Sequence, residues 1–545
     1  QVGDQASLTL SNGSVFTGVL EDGSTFSFSS LDGDRLADGA VTVHQAAIPP
    51  PMPGTIVASA DGVPKGLRAG EDLIVDSGSQ VPGRFTILQG GSMRVLEGGL
   101  AGHDLEVVDG FVRNEGGDIE PGVRLFRNSS MEIAGGETGD IRLYEGSNLE
   151  VFSGSTGWIR ANSGSTVTIH GGTTGTTFAL AGSTARFRGG YPVIDAEAGS
   201  DVQFFGSEFR IDGVPVDVSG ANQDGMEVEV PSSSYLSGVF PSGEPFVLAH
   251  EFNQALPAGT IRLIPESVPA AQPGVFYTSL VGPVRTARAG QTIIVDSSLG
   301  VPNNSIAAYA DSVRVRENGS ISSDFKAIGT KVIVDGGHIS SRYGLFDGAS
   351  LILNRGSIFI NGEAFSGSKI VMVAGELGSG LAIHAGAEAH FSGGVLGGIG
   401  IGGNAVITGG QIGSSFDVWS TGNLTIVGGS FPEDTSTTPN FDVFAGGHVS
   451  IIGSDFSIHS QSLGLSYVVP RLITDPDATL TVTYLIAGDV NVDGAVDELD
   501  TSAWQAGYGA DATGDADFDG NTDGDDLLIL QKNYGEVAAL AAKLE

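Results

Sequence analysis

Laid against itself at an offset of 220, the chain places 18–99 on 238–319 without a gap, and this duplication limits the possible folds more than any other feature. Arg68-Ala69-Gly70 falls on Arg288-Ala289-Gly290, and Ile74-Val75-Asp76-Ser77 on Ile294-Val295-Asp296-Ser297. Val81-Pro82 falls on Val301-Pro302. The second copy runs longer, because Gly206-Ser207-Glu208-Phe209 finds its echo in Gly453-Ser454-Asp455-Phe456, an offset of 247. The chain also starts in mid-pattern: Phe16 to Val43 resembles Phe240 to Leu263, the closing segment of the first copy.

Inside each copy lies a shorter period. Gly99, Gly117, Gly136, Gly154, Gly172 and Gly190 recur at intervals of 18 or 19. In the second copy Gly319, Gly337, Gly356, Gly375, Gly394, Gly410 and Gly429 are spaced by 18, 19, 19, 19, 16 and 19. Between the glycines apolar and polar residues alternate, as in Ser130-Met131-Glu132-Ile133, Asn148-Leu149-Glu150-Val151 and Thr166-Val167-Thr168-Ile169. Alternation with period two is a strand signal, and glycines at fixed offsets mark corners. Short strands repeating at this interval, with no helical stretch between them, describe a parallel β-solenoid, whose coils bury their apolar side only by stacking. Met131, Ile133, Ile141, Leu143, Leu149, Val151 and Ile159 are the expected inward residues. A left-handed triangular helix usually shows one aliphatic residue in every hexapeptide, a rule absent here, so a right-handed β-helix is favoured.

The expected fold class is therefore all-β: a parallel β-solenoid in two duplicated copies, followed by a small α-helical module. The expected divisions are an N-terminal β segment at 1–48, acting as the end-cap of a partial repeat, copies at 49–268 and 269–486, the module at 487–536, and a tail at 537–545. The stretches Pro49 to Pro53 and Pro265 to Pro273 read as extended connections into the two copies. Segments 7–43, 227–264 and roughly 463–485 read as antiparallel pairs closing the solenoid ends, since an open end is an unpaired edge. Leu544-Glu545, after an Ala-rich stretch, reads as an expression scar, and a signal peptide and sorting tail are expected to have been removed.

Composition narrows the function classes. Of 545 residues 64 are acidic and 26 basic, a formal net charge of −38. That charge repels nucleic acid and anionic membrane surfaces and favours cations or neutral partners. The chain has no Cys, which removes disulfides, thiol catalysis and zinc–thiolate sites. No apolar run approaches the ~20 residues of a membrane-spanning helix. The excess of glycine, 84 residues in all, reads as the corner chemistry of the repeat.

From Asp489 the composition changes: twelve acidic residues and no Lys or Arg lie between Asp489 and Asp526. Two loops of equal length run from Asp489 to Asp500 and from Asp515 to Asp526. Asp489, Asn491, Asp493, Asp497 and Asp500 hold loop positions 1, 3, 5, 9 and 12, and Asp515, Asp517, Asp519, Asp523 and Asp526 hold them in the second loop. Gly494 and Gly520 hold position 6, and Ala495 and Asn521 offer position 7 carbonyls. Hard cations want six to eight oxygens, and the glycine allows the sharp turn between them, so two Ca²⁺ sites are expected. Helices are expected from Asp500 to about Tyr508 and from Asp526 to about Tyr534, with Leu499, Trp504, Leu527, Leu528 and Leu530 as their apolar side.

Aspartate at position 12, loops that start 26 apart and one helix after each loop together resemble the type I dockerin module. The resemblance implies a calcium-dependent docking role toward a cohesin-like or other surface receptor. Positions 10 and 11, which read the partner in that family and are often Ser-Thr, hold Glu498-Leu499 and Gly524-Asp525 here. The arrangement as a whole resembles secreted bacterial proteins that join a pectin-lyase-like β-helix to a dockerin-like module, which implies a secreted or cell-surface location.

Fold does not imply activity, so ligand sites rest on residues. Arg124, Arg142 and Arg160 fall at one place in successive coils, followed by Phe178. Stacked about 4.8 Å apart, the guanidinium groups would receive a carboxylated or sulfated glycan, with Phe178 against a sugar face. A structural reading pairs them with Glu132, Glu145 and Glu150 instead. The arginine ladder has no counterpart in copy two, where Tyr343 stands. Asp195 and Asp201 near Arg186 and Arg188 form a weaker candidate for the acid–base pair of a lyase or glycosidase. The scattered histidines, among them His170, His384 and His390, form no acid–nucleophile group. The expected function is a structural, adhesive or carbohydrate-binding surface protein. The alternative is a polysaccharide lyase or glycoside hydrolase acting on an acidic polysaccharide; the sequence leans against catalysis.

Overall fold

The computed structural model describes residues 5–8, 14–29, 41–44, 46–222, 224–231, 234–249, 258–298, 300–413, 415–430, 440–453, 471–474, 479–484, 488–491, 495–509, 514–516 and 522–535. It divides into two compact units, Gln1–Ala271 and Gln272–Glu545. The β-solenoid expected from the repeats is present in both.

In the first unit successive coils stack in parallel. Met131 lies beside Leu149 and Leu149 beside Val167, while Ile133, Val151 and Ile169 form the next inward column. A second parallel sheet runs through Val123–Phe126, Ile141–Leu143, Ile159–Ala161, Thr177–Ala179 and Ile194–Ala196. All seven residues expected to point inward have no exposed surface. Each aliphatic side chain so buried contributes about 2 kcal/mol, which a lone coil would forfeit.

The Gly-Ser corners have a specific chemistry. Ser147, Ser165, Ser183 and Ser200 are buried, and each hydroxyl donates to the carbonyl three residues back, on Tyr144, Asn162, Leu180 and Glu197 at 2.5–2.7 Å. The hydroxyl thus turns the chain while leaving no buried polar group unpaired. At the Gly-Gly corner, Gly136 adopts φ 73°, and a Cβ there would lie 2.0 Å from the Gly117 carbonyl of the coil before.

The last coil is closed by an excursion. Strand Asp201–Ile211 pairs in parallel with Thr260–Pro265 and antiparallel with Tyr235–Val239, which forms a hairpin with Pro245–Ala249. Phe187, Phe204, Phe246 and Phe240 stack across this end with centroids 5.2, 5.1 and 4.4 Å apart, covering the core. The N-terminal segment copies the same closure. Ala6 pairs antiparallel with Val43 as Met226 does with Leu263, and hairpin Val15–Val19/Thr25–Ser29 repeats Tyr235–Val239/Pro245–Ala249 at the offset of the duplication.

The described strands of the second unit form one parallel stack: Val332, Leu351, Ile370, Ala389, Ala405, Leu424, Val449 and Leu480 are successive partners. Two details differ from the sequence reading. Each copy begins with a single-turn helix, Ala58–Asp61 and Thr278–Val281. Ser59 and Ser279 donate to Asp76 and Asp296 of the next coil, and these hydrogen bonds hold both carboxyls below the ordinary value. In the region expected to close copy two with antiparallel strands, Arg471–Thr474 and Thr479–Tyr484 instead pair in parallel with 440–443 and 448–453, continuing the stack. The rest of 463–485 and the tail from 537 lie outside the described residues.

Candidate functional site

Glu106, Arg124, Arg142, Arg160, Phe178 and Asp195 occupy one register column on the second sheet of the first unit. Their neighbours set their charge balance. Arg124 lies 3.1 Å from Glu106 and 3.8 Å from Asp104. The Arg142 guanidinium sits 5.1 Å from the Trp158 ring centroid, a cation–π contact. Arg160 is exposed and has no ion-pair partner among the described residues. The repulsion within the ladder is thus relieved by acids at one end and a ring in the middle.

Glu132 and Glu150 do not take part in it. They are register partners on the other sheet, where Glu132 lies 3.1 Å from Arg113 and Glu150 3.6 Å from His170. Alternation shows that a residue points outward but not which sheet it leaves. Tyr343 is likewise no outward counterpart of the ladder: it is buried in the second unit beside Phe325, and burial pushes its hydroxyl well above the ordinary value.

Three of the four weaker candidates do meet. Arg186, Arg188 and Asp201 line a groove of about 660 Å³ on the first sheet, with His170, Gln203 and Arg262. Asp195 lies on the other sheet, in the arginine column. Asp201 receives Arg262 Nε at 2.9 Å and Gln203 Nε2 at 2.6 Å. Arg188 makes a two-pronged pair with Glu266 at 2.7 and 3.2 Å, and its guanidinium lies 4.1 Å from the Phe205 centroid. Arg186 donates to the Gln203 amide at 3.1 Å and has no carboxylate partner among the described residues. His170 stacks on Phe152 at 4.6 Å. The groove therefore offers one guanidinium without a carboxylate partner beside an amide and an imidazole, with Glu150, Asp201 and Asp224 also in its lining, which suits a hydroxyl-rich ligand better than a carboxylated one. The sequence reading missed Gln203 and Arg262; Arg262 arrives on the closing strand, so the coil period gives no sign of it.

The C-terminal loops share one wiring. Helix Glu498–Gly507 is capped by Asp497, and helix Gly524–Asn533 by Asp523, each with a reciprocal capping box. Asp500 Oδ1 accepts the N–H groups of Val490 and Asn491 at 2.8 and 3.1 Å, and its Oδ2 accepts that of Asp497 at 2.9 Å. Asp526 repeats this with Ala516 and Asp523, both at 2.6 Å. Asp489, Asp500 and Asp526 are buried. The two halves also bind each other reciprocally: Gly509 donates to the Thr522 carbonyl at 3.0 Å, and its equivalent in the other half, Gly535, donates to Val496 at 2.8 Å. Both helices start earlier than expected, because the capping aspartate is at position 9 and not at position 12. Leu530 packs inward, but Leu499 and Leu528 are exposed, as are Tyr508 and Tyr534. Asp493, Asp517, Asp519 and Asn521 lie outside the described residues, and among those described no three acidic or histidine side chains cluster as a metal site.

No family model matches the chain, and no curated protein matches it. A solved structure, the TibC-catalyzed hyper-glycosylated TibA55-350 fragment, is similar at 13% identity over 78% of this chain and 94% of that one, with a TM-score of 0.16. Among the described residues no helix is long and apolar enough to cross a membrane.

Proposed function

We propose that the protein is a secreted or cell-surface bacterial β-solenoid, structural or adhesive in kind, that presents carbohydrate-binding faces and carries a calcium-dependent docking module at its C-terminal end. The observation that carries this reading is the matched wiring of Asp500 and Asp526. Each is a buried carboxylate folded back over its own loop, and burying such a charge is costly unless a cation or donors compensate it. The side-chain and carbonyl oxygens that these loops carry match Ca²⁺ in kind and number. One ion would be held by Asp489, Asn491, Asp493, the Ala495 carbonyl, Asp497 and Asp500, and the other by Asp515, Asp517, Asp519, the Asn521 carbonyl, Asp523 and Asp526.

The exposed Leu499, Leu528, Tyr508 and Tyr534 give the helix pair an apolar surface suited to a cohesin-like or other surface receptor. Calcium titration of the full chain tests the reading: two sites are expected, and Asp489→Ala together with Asp515→Ala removes both.

A second reading, a polysaccharide lyase or glycoside hydrolase acting on an acidic polysaccharide, is favoured by the convergence of Arg186, Arg188 and Asp201 on one groove. Against it, Asp201 is held by two donors and Asp195 lies elsewhere. A depolymerisation screen on acidic polysaccharides that releases no product rejects it.

A further inference from the structure

One face of the second unit carries two carboxylates, Asp417 and Asp442, that accept no hydrogen bond among the described residues. The outward column here runs Lys326, Gly344, Glu363, Ala382, Gly400, Asp417 and Asp442. The equivalent column in the first unit holds the arginines, so the duplicated face has diverged from basic to small and acidic.

Asp417 and Asp442 are direct register partners, with backbones about 4.8 Å apart. Among the described residues neither receives a hydrogen bond, and Asp442 Oδ1 is fully buried without a partner. Burial, and then the neighbouring Asp442 charge, raise the Asp417 carboxyl above its ordinary value. Two neighbouring carboxylates that accept no hydrogen bond from the fold leave oxygens open to a donor from outside.

Beside them lies an aromatic surface. The Trp419 indole fills the space over two glycines: a Cβ at Gly400 would stand 2.4 Å from Cζ2, and one at Gly402 2.9 Å from Cε3. Trp419 is partly exposed, and its Nε1–H has no acceptor among the described residues. The ring continues a column of Phe365 and His384, stacked at 4.7 Å, with His384 and Trp419 centroids 6.0 Å apart. Glu363 closes the far side, 3.2 Å from His384 Nε2.

We propose that this face is a binding platform for a neutral, hydroxyl-rich glycan, with a sugar ring lying on the Trp419 indole and its hydroxyls donating to Asp417 and to Oδ2 of Asp442. The chemistry selects among ligands. Two carboxylates repel a polyanion, as does the net charge of −38. A divalent cation wants six or more oxygens, and no group of three metal-binding side chains stands here among the described residues. A neutral sugar supplies hydroxyl donors for the carboxylates, an acceptor for the indole N–H, and an apolar ring face for the aromatic surface.

The proposal deepens the carbohydrate-binding part of the functional reading but places the site on a different unit from the Arg186 groove, so the two fail separately. The test is calorimetry of the full chain with soluble neutral oligosaccharides of glucose, xylose and mannose, beside polygalacturonate and CaCl₂ alone. At least one neutral series is expected to bind. Trp419→Ala is expected to weaken it at least tenfold, Trp419→Phe to retain part of it, and the near-isosteric Asp417→Asn to weaken it severalfold. Arg186→Ala is expected to leave it unchanged. The proposal is overturned if no neutral oligosaccharide binds, if Trp419→Ala and Asp417→Asn both bind as the parent does, or if Asp417→Asn abolishes only a calcium heat.

Discussion

Gly378→Ala is expected to destabilise the second unit by about 3 kcal/mol or more, a loss in the range reserved for backbone and packing failures. Gly378 follows strand Glu376–Leu377, and its N–H donates to the Ile358 carbonyl of the previous coil at 2.7 Å. A Cβ added there would lie 1.3 Å from the Phe359 carbonyl oxygen and 2.4 Å from its carbon. Both are backbone atoms, so no side-chain rotation relieves the overlap. The coil must lift off its neighbour, which breaks the 2.7 Å bond and the Ile358–Leu377 pairing that buries both residues. Gly367 is the control. It also sits at a corner, with φ 79°, but a Cβ there meets nothing closer than 3.6 Å, so Gly367→Ala costs only the left-handed conformation, about 1 kcal/mol. Urea unfolding followed by tryptophan fluorescence measures both. Equal shifts for the two variants would mean that coil-to-coil contact does not set the stability of the stack.

Asp500→Ala and Asp526→Ala are expected to unfold the helix pair even before calcium is considered. Removing Asp500 leaves three loop N–H groups, of Val490, Asn491 and Asp497, without their acceptor, and also removes half of a capping box. At about 1 kcal/mol for each of these three hydrogen bonds, one of which is the capping-box bond from Asp497, the total approaches the stability of a module this small. Asparagine separates the two roles. Asp500→Asn keeps one carbonyl oxygen over the loop but loses the charge, so it is expected to keep much of the helix signal while weakening calcium at that loop by about a hundredfold. Circular dichroism at the helix band, with calcium titration of each variant, reads both effects. If Asp500→Ala and Asp500→Asn keep calcium affinity and helix content alike, the position 12 carboxylates have no role in holding the module.

What the sequence made legible follows from how far each signal travels along the chain. The inward set Met131 to Ile159 was readable because a core residue repeats once per coil and its period survives any outward change. The same period placed Arg124, Arg142, Arg160 and Phe178 in one column. It failed where the partner comes from outside the coil. Arg262 reaches the Asp201 groove on a strand that returns after a long excursion. Asp442 follows Asp417 at more than one coil's spacing, because the chain between them includes an insertion that interrupts the repeat. Trp419 gave no signal either, since the feature that makes it a surface is the absence of side chains at Gly400 and Gly402. The assignment of Glu132 and Glu150 to the arginines failed for a simpler reason: outward alternation is the same on both sheets. In the C-terminal module the regular spacing showed two matched loops, but not that Gly509 and Gly535 would tie each loop to the other.

Calcium titration of the intact chain tests the C-terminal module most directly. Calorimetry with CaCl₂ at neutral pH is expected to show two bound ions per chain, with no ion bound when Asp489→Ala and Asp515→Ala are combined. Hydrogen exchange on the same samples is expected to show calcium protecting amides in 488–535 while those of the solenoid coils stay as they were. A chain that takes up no calcium, or whose binding survives in the double variant, contradicts the assignment of these loops to Ca²⁺.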